Sequence, residues 1–527
     1  MSLGGHLAEL AAARPETVAL IDGRGGPASA RRLTFAELET EVARAAGWLR
    51  ARGLRRGDAV LVFVPMSADL YVALLAMFRL GVVALFLDPS AGRDHLERCC
   101  GRWPPAAFLA ISRAHLLRLR SAAARRIPLK ISVGMWVPGA SRWLGGPPAF
   151  PVTTGDARAD DAALVTFTSG STGVPKAAVR THGFLLAQSR ALTPGIQLEA
   201  GEIDLATLPV FTLANLAAGV TTVIPDIDLR RPGAVDAAAL FAEIEHYGVT
   251  RITASPALFE RLVAHGRAKG QTLPTLRKIH TGGAPVFPRL LAALQALAPH
   301  AHVVAVYGST EAEPIAHVSA EQIGPDDFDA MRAGRGLLAG LPVPEVRVRV
   351  LRDRWGEPRR EMGEGEFAEE TLPPNVAGEI VVAGEHVLKG YLGGIGDEET
   401  KFRVAGEVWH RTGDAGLFDQ RGRLWLLGRC AARIDDARGQ LYPFGVECAA
   451  MAFAEVRRAA ALAHEGKRIL VIETDRTDLP LLEQVRQATC WAQIDTVHAS
   501  PRLPVDARHN AKIDYVELRR RYAASQR

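Results

Sequence analysis

Cysteine is scarce in this chain, and what there is shows no metal-ligand spacing. Of the 527 residues five are Cys, with Cys99 and Cys100 adjacent and Cys430, Cys448 and Cys490 each alone. That pattern argues against a zinc site or a disulfide framework and fits small buried or half-buried thiols in a reducing compartment. A clean apolar run is missing too. The most apolar stretch, 59–89, is broken by Pro65, Asp69, Arg79 and Asp88, short of the ~18 to 20 residues of a membrane helix. Residues 1–6 lack a basic segment leading into an apolar one, so no secretory signal is expected, and a cytoplasmic location is. There is no acidic excess either. The net charge is +5 and the pI near 9, most of it from arginine scattered through Ala-rich helical stretches. The longest basic clusters, 118–126 and 519–521, read as solvated helix faces, with weak attraction to an anionic surface or partner left open. Basic and aromatic residues are not interleaved as in a nucleic-acid footprint, so no nucleic-acid partner is expected.

What is present is a large apolar inventory, 48% of the residues, in a chain long enough for two or more domains. The spacing predicts a helix from Phe35 to Arg52 ended by Gly53, and a buried strand from Ala59 to Val64 closed by Pro65. A second helix follows from Asp69 to Leu80, with Gly81 as its C-cap, then a strand from Val82 to Leu87 and a turn at Asp88-Pro89-Ser90. The rhythm recurs over 240–255 and 290–307. Helices alternating with short apolar strands predict an α/β fold, with parallel-rich sheets flanked by helices. Residues 353–377, rich in Gly, Pro and Glu, are expected to form an exposed excursion outside the core. A change of character after Gly428 places a domain boundary there, giving a large domain over 1–428 and a small one over 429–527.

The strongest chemical signal is Thr166-Phe167-Thr168-Ser169-Gly170-Ser171-Thr172-Gly173-Val174-Pro175-Lys176. An apolar strand runs into small hydroxylated residues and glycines, which let the backbone approach a phosphate and supply donors to its oxygens. It is not a Walker loop, because Ala177 follows the lysine. Tyr307-Gly308-Ser309-Thr310-Glu311 ends another apolar strand. Gly282-Gly283-Ala284-Pro285, Arg411-Thr412-Gly413-Asp414, Gly428-Arg429 and Pro504-Val505-Asp506-Ala507-Arg508-His509-Asn510-Ala511-Lys512-Ile513 complete the set.

In this order the motifs resemble the adenylate-forming superfamily of acyl-CoA synthetases, adenylation domains and luciferases, over nearly the whole chain. The resemblance implies ATP and Mg²⁺ as cofactors and a small C-terminal α+β domain hinged near Arg429. It implies that the Thr168–Lys176 loop holds phosphate, that 283–285 line the adenine pocket with Tyr307 beside the base, and that Thr310 touches the α-phosphate. By the same resemblance Glu311 holds Mg²⁺, Asp414 accepts from the ribose hydroxyls, Arg429 lies near the ribose, and Lys512 reaches the carboxylate and α-phosphate during adenylation. Departures narrow the branch. Asp435 stands where thioester-forming relatives carry a lysine, Ala431 replaces the usual hinge Asp or Lys, and Thr212 replaces a common histidine.

The 504–513 wording, with Asp88-Pro89-Ser90-Ala91-Gly92-Arg93 through Cys99, resembles the β-lactone synthetases of bacterial long-chain olefin biosynthesis. That branch implies a 3-hydroxy fatty acid as the small-molecule partner, adenylated and then closed to a β-lactone by its own hydroxyl, and it leaves room for a complex with enzymes of the same pathway. His182 is a candidate base for ring closure on position alone, with a structural or substrate-lining role as its alternative. A long-chain acyl-CoA or acyl-carrier-protein ligase is the second reading, and a nucleotide-binding homologue without turnover the third. The apolar tone of 211–222 suits an aliphatic chain and equally an ordinary buried helix, so it carries no chain length.

Overall fold

Buried apolar strands joined by capped helices build the α/β architecture. The computed structural model describes residues 3–87, 92–147, 149–169, 175–476, 479–505 and 513–525. Two compact units make up the chain, one from Met1–Asp226, His246–Val249 and Glu385–Asp397, the other from Ile227–Glu245, Thr250–Gly384 and Glu398–Arg527.

The first unit carries a seven-stranded sheet in the order Ser141–Arg142, Leu129–Val133, Ala107–Ile111, Ala59–Phe63, Val83–Phe86, Ala162–Ser169, Pro175–Thr181. All neighbours are parallel except the last pair. Its core gathers Leu61, Leu85, Phe108 and Val165, so these strands read as continuous apolar runs rather than alternating ones. The helix Ala68–Leu80 starts where the Ser67 hydroxyl accepts from the Leu70 N–H at 3.1 Å and stops at Gly81, left-handed at φ 67°. The helix Phe35–Ala51 opens with a reciprocal Thr34–Glu37 capping box. The turn expected at Asp88–Ser90 lies outside the described residues.

In the second unit Arg251–Ala254, Lys278–Gly282 and His302–Ser309 run parallel, and Ala312–Ser319 and Leu337–Pro342 then pair antiparallel. Leu424–Arg429, Glu407–Phe418, Gly378–Gly384 and Val346–Leu351 extend the sheet, again antiparallel. The C-terminal part has its own three strands, Arg458–His464, Lys467–Glu473 and Thr496–Ser500, and its own core around Val446, Leu470, Ile472 and Val485. The 353–377 excursion is not wholly exposed. It contains the helix Glu364–Glu370, and Met362 and Phe367 are buried against Phe402 and Trp409. The charged residues of the segment conceal two apolar anchors. Among the described residues no helix is long and apolar enough to cross a membrane.

Candidate active site

The strands Lys278–Gly282 and His302–Ser309 run side by side with Gly282 opposite Val306, so the loops leaving both C-terminal ends emerge together. Ligands of α/β sheets bind at such ends. Gly282 is required by close approach, because a Cβ there would lie 2.5 Å from the Val306 carbonyl oxygen. Gly283 continues at φ 81°, and Ala284 and Pro285 are half-buried behind it. Past Tyr307 the ladder is irregular up to Ser309, and Gly308 lies at that break. Thr310 is exposed at the tip, and the Glu311 N–H donates to the Ser309 hydroxyl at 3.3 Å.

The strand Glu407–Phe418 brings Asp414 opposite Arg429 of Leu424–Arg429. The Tyr307 hydroxyl donates to Asp414 Oδ2 at 2.8 Å, and Arg429 Nε lies 3.2 Å from Asp414 Oδ1. The Thr412 hydroxyl accepts from the Asp414 N–H at 3.0 Å and donates to the Ile380 carbonyl at 2.9 Å. Desolvation, with the Asp414 charge beside it, raises the Tyr307 phenol well above its ordinary value. Arg429 is raised first by Asp414, and Glu311 contributes to the same field, so both carboxylates act on one guanidinium. A carboxylate offers about four acceptor sites, so with Tyr307 and Arg429 engaged two remain for a vicinal diol.

Beneath this cradle Arg411, fully buried, pairs with Glu379 at 2.8 Å and donates to the carbonyls of Arg354 and Glu357. Trp355 covers Gly413, where a Cβ would come within 2.9 Å of the indole. Sequence reasoning missed Arg411, Glu379, Thr412 and Trp355 as supports. The one available signal was that Arg411 and Thr412 directly precede the Gly-Asp pair.

In the other unit the phosphate-loop candidates close a hairpin, since Thr168 pairs with Lys176 and Ser169 with Pro175. Of Thr168 and Ser169 only the backbone is described, and Gly170, Ser171, Thr172 and Gly173 lie outside the described residues, as does Lys512. Lys176 is half-buried with Nζ 5.9 Å from the Tyr391 ring centroid. Its stem lies against Gly396, where a Cβ would sit 2.6 Å from Lys176 Cε. Tyr391 and Gly396 are further partners that the sequence did not reveal. His182 opens the helix His182–Gly195 and is fully buried, its ring edge-on to Phe78 at 5.6 Å. Neither ring nitrogen has a hydrogen-bond partner among the described residues, and burial lowers its pKa to about 4. That placement matches the structural alternative for His182 better than a base poised at neutral pH.

A divalent cation here would be held by one carboxylate plus substrate phosphates. Among the described residues no group of three or more His, Cys, Asp or Glu side chains could hold a metal by itself. Glu311, half-buried in a loop of Gly, Ser and Thr, suits Mg²⁺, which keeps waters and binds through few protein ligands. Asp435 lies in the hairpin of Ile434–Asp436 with Gly439–Leu441, ion-paired to Arg433 at 2.9 Å.

The AMP-binding enzyme family matches residues 7–392. An olefin beta-lactone synthetase of Stenotrophomonas maltophilia is 34% identical, covering 98% of this chain and 97% of its own length. One from Xanthomonas campestris pv. campestris is 32% identical over 98% of this chain and 96% of its own length. Among solved structures, the amide bond synthetase McbA from Marinactinospora thermotolerans superposes with a TM-score of 0.78 at 21% identity, covering 99% of this chain and 100% of that one. With this match and the motifs in order, the chain belongs to the AMP-binding enzyme family and is an adenylate-forming ligase that uses ATP.

Proposed function

We propose that this ligase activates a long-chain 3-hydroxy acid and closes it to a β-lactone. The substrate carboxylate attacks the α-phosphorus of ATP, the bond to the β-phosphate oxygen breaks, and pyrophosphate leaves. Thr310 and Lys512 donate to the reacting phosphate, and Asp414, steadied by Tyr307 and Arg429, holds the ribose. The loop 168–176, with Lys176, binds the phosphates, and the segment from Arg429 swings as the hinge of the small domain. Glu311 would hold Mg²⁺, which would neutralise charge on the leaving pyrophosphate. Positioning and preorganised charge do the catalytic work here, because the phosphoryl centre needs no covalent catalyst. The 3-hydroxyl oxygen of the acyl-adenylate then attacks its carbonyl carbon. The bond to AMP breaks, AMP departs with the electron pair, and the hydroxyl proton passes to solvent.

Asp435 is the observation that carries the second half. Thioester-forming relatives place a lysine there, whereas this chain places an acid tied to Arg433, and an internal nucleophile needs no pantetheine arm. The names of the relatives aligned over the whole chain point the same way. Leu185, Leu192, Val210, Leu213 and Ala214, with Gln188 and Ser189, line a mostly apolar pocket of about 20 Å³ between the helices His182–Gly195 and Pro209–Ala218, too small for a long aliphatic chain as it stands.

The test is incubation of the purified protein with MgATP and a panel of long-chain 3-hydroxy acids, with and without CoA, with products identified by NMR. A β-lactone with AMP in the absence of CoA is the expected result. An acyl thioester formed only when CoA is present would overturn ring closure and leave adenylation standing.

A further inference from the structure

Between Glu97 and Asp156 lie 58 residues without a single Asp or Glu, carrying nine arginines or lysines. The middle of this acid-free stretch forms one surface. The turns Ser112–Leu116 and Leu117–Arg120 are tied to the loop 134–140 by two hydrogen bonds, and Ser132 of the strand Leu129–Val133 adds a third. The Ser112 and Ser132 hydroxyls both donate to the Met135 carbonyl, at 2.7 and 2.8 Å, and Arg118 donates to the Pro138 carbonyl at 3.1 Å. Apolar tips project where these segments meet: Leu116 is 63% exposed, Leu119 76%, Met135 77% and Trp136 64%. Arg113, Arg120, Arg125 and Arg126 are exposed around them, and none makes an ion pair among the described residues.

Large exposed apolar side chains gathered in one place mark an interaction site. The ring of unpaired arginines specifies an anionic partner, and the acid that reaches this stretch, Glu97, is half-buried and engaged by the Ser121 hydroxyl at 2.7 Å and the Ala123 N–H at 3.0 Å. A nucleic acid would gain little from two leucines and a methionine, since its bases want aromatic platforms. Trp with Leu and Met, rimmed by arginine, is the composition that seats in the interface of a bilayer: apolar tips enter the headgroup layer and guanidinium groups meet lipid phosphates. We infer that the face built from residues 112–120 and the 134–140 loop docks this protein on an anionic lipid surface. Two backbone-anchored segments hold the tips in place, so docking orders little new chain. The inference does not rest on lactone formation, since any enzyme drawing an aliphatic acid from a membrane would gain from such a face.

The full-length protein should co-float with phosphatidylcholine vesicles containing phosphatidylglycerol and hardly at all with phosphatidylcholine alone. Binding should weaken steeply as salt is raised. Each charge removed, as in Arg120→Gln and Arg125→Gln, should reduce binding roughly five-fold. Trp136→Ser and Leu119→Ser should weaken it further, whereas Trp136→Phe should bind but lose the blue shift in tryptophan emission seen with the parent protein. ATP–pyrophosphate exchange with a water-soluble acid should stay at the parental level in every variant, which certifies their folding. Absence of binding to the anionic vesicles at low salt, equal binding to both vesicle types, or binding unaffected by Arg120→Gln and Trp136→Ser would overturn the inference. Capture of another protein through this face by a chain that ignores vesicles would also overturn it.

Discussion

Three groups hold Asp414: the Tyr307 hydroxyl, the Arg429 guanidinium and, through the backbone, the Thr412 hydroxyl. A hydrogen bond to a charged group is worth about 1.5–3 kcal/mol. Tyr307→Phe should therefore raise the KM for ATP about 10- to 100-fold and leave the KM for the acid nearly unchanged, as steady-state kinetics would read. Lys512→Ala should cut ATP–pyrophosphate exchange by roughly 10² to 10³ without changing the unfolding midpoint, the usual effect of losing one well-aimed donor. His182 is expected to act on stability instead. Its pKa falls from 6.5 to about 4 on folding, so the unfolded chain binds the proton more readily between those values. The neutral ring contributes stability in full above about 6.5, and that contribution is lost as pH drops towards about 4. His182→Phe should remove ~3 kcal/mol of this pH dependence and leave ring closure intact, as denaturation at pH 7 and 4.5 together with product analysis would show. Tyr307 and Asp414 were both legible in the sequence because Tyr307 opens one recognisable motif and Asp414 closes another. The bond between them spans 107 positions and was not. Nor was the burial of His182, because its position after the phosphate loop says nothing about Phe78.

Strands and helices were legible where local chemistry is decisive. The helix Ala68–Leu80 begins one residue before its expected start and ends as expected, because a Ser cap and a left-handed glycine fix its two ends. The apolar strands of the first sheet came through for the same reason. Pairing partners did not, because apolar runs carry no address. Gly378–Gly384 lies between Val346–Leu351 and Glu407–Phe418, and no periodicity announces that. The 353–377 segment misled because its composition is dominated by charge. Two side chains, Met362 and Phe367, are enough to pin it to the core. The pair Glu379–Arg411 links two of these strands with both side chains at most 1% exposed. Glu379→Gln would leave the guanidinium uncompensated in that site and should cost ~3–5 kcal/mol in a denaturant titration. Because Asp414 is three residues along the same strand, ATP affinity should fall with it.

At the scale of the whole molecule, one polar route runs through the second unit from the nucleotide cradle to the C-terminal part. The Trp355 indole packs on Gly413, and the Trp355 backbone N–H donates to Asp353 Oδ1 at 2.9 Å. Asp353, almost fully buried, also accepts from Tyr442 at 2.9 Å and pairs with Arg433 at 2.6 Å. Asp353→Asn should loosen the hairpin Ile434–Asp436 with Gly439–Leu441, and its backbone amides should exchange with deuterium roughly ten-fold faster while those of the first unit keep their rates. The acid-free stretch has a different consequence, in the language of fragments. A protease that cuts only after glutamate finds no site between Glu97 and Glu199, so it releases the Trp136 surface and the Thr168–Lys176 loop on one peptide. Trypsin cuts the same region at every exposed arginine. Digestion with each enzyme in turn gives a two-enzyme footprint. Lipid shielding of this face would silence tryptic cuts at Arg113, Arg120 and Arg125 and leave the glutamyl peptide intact as the internal standard.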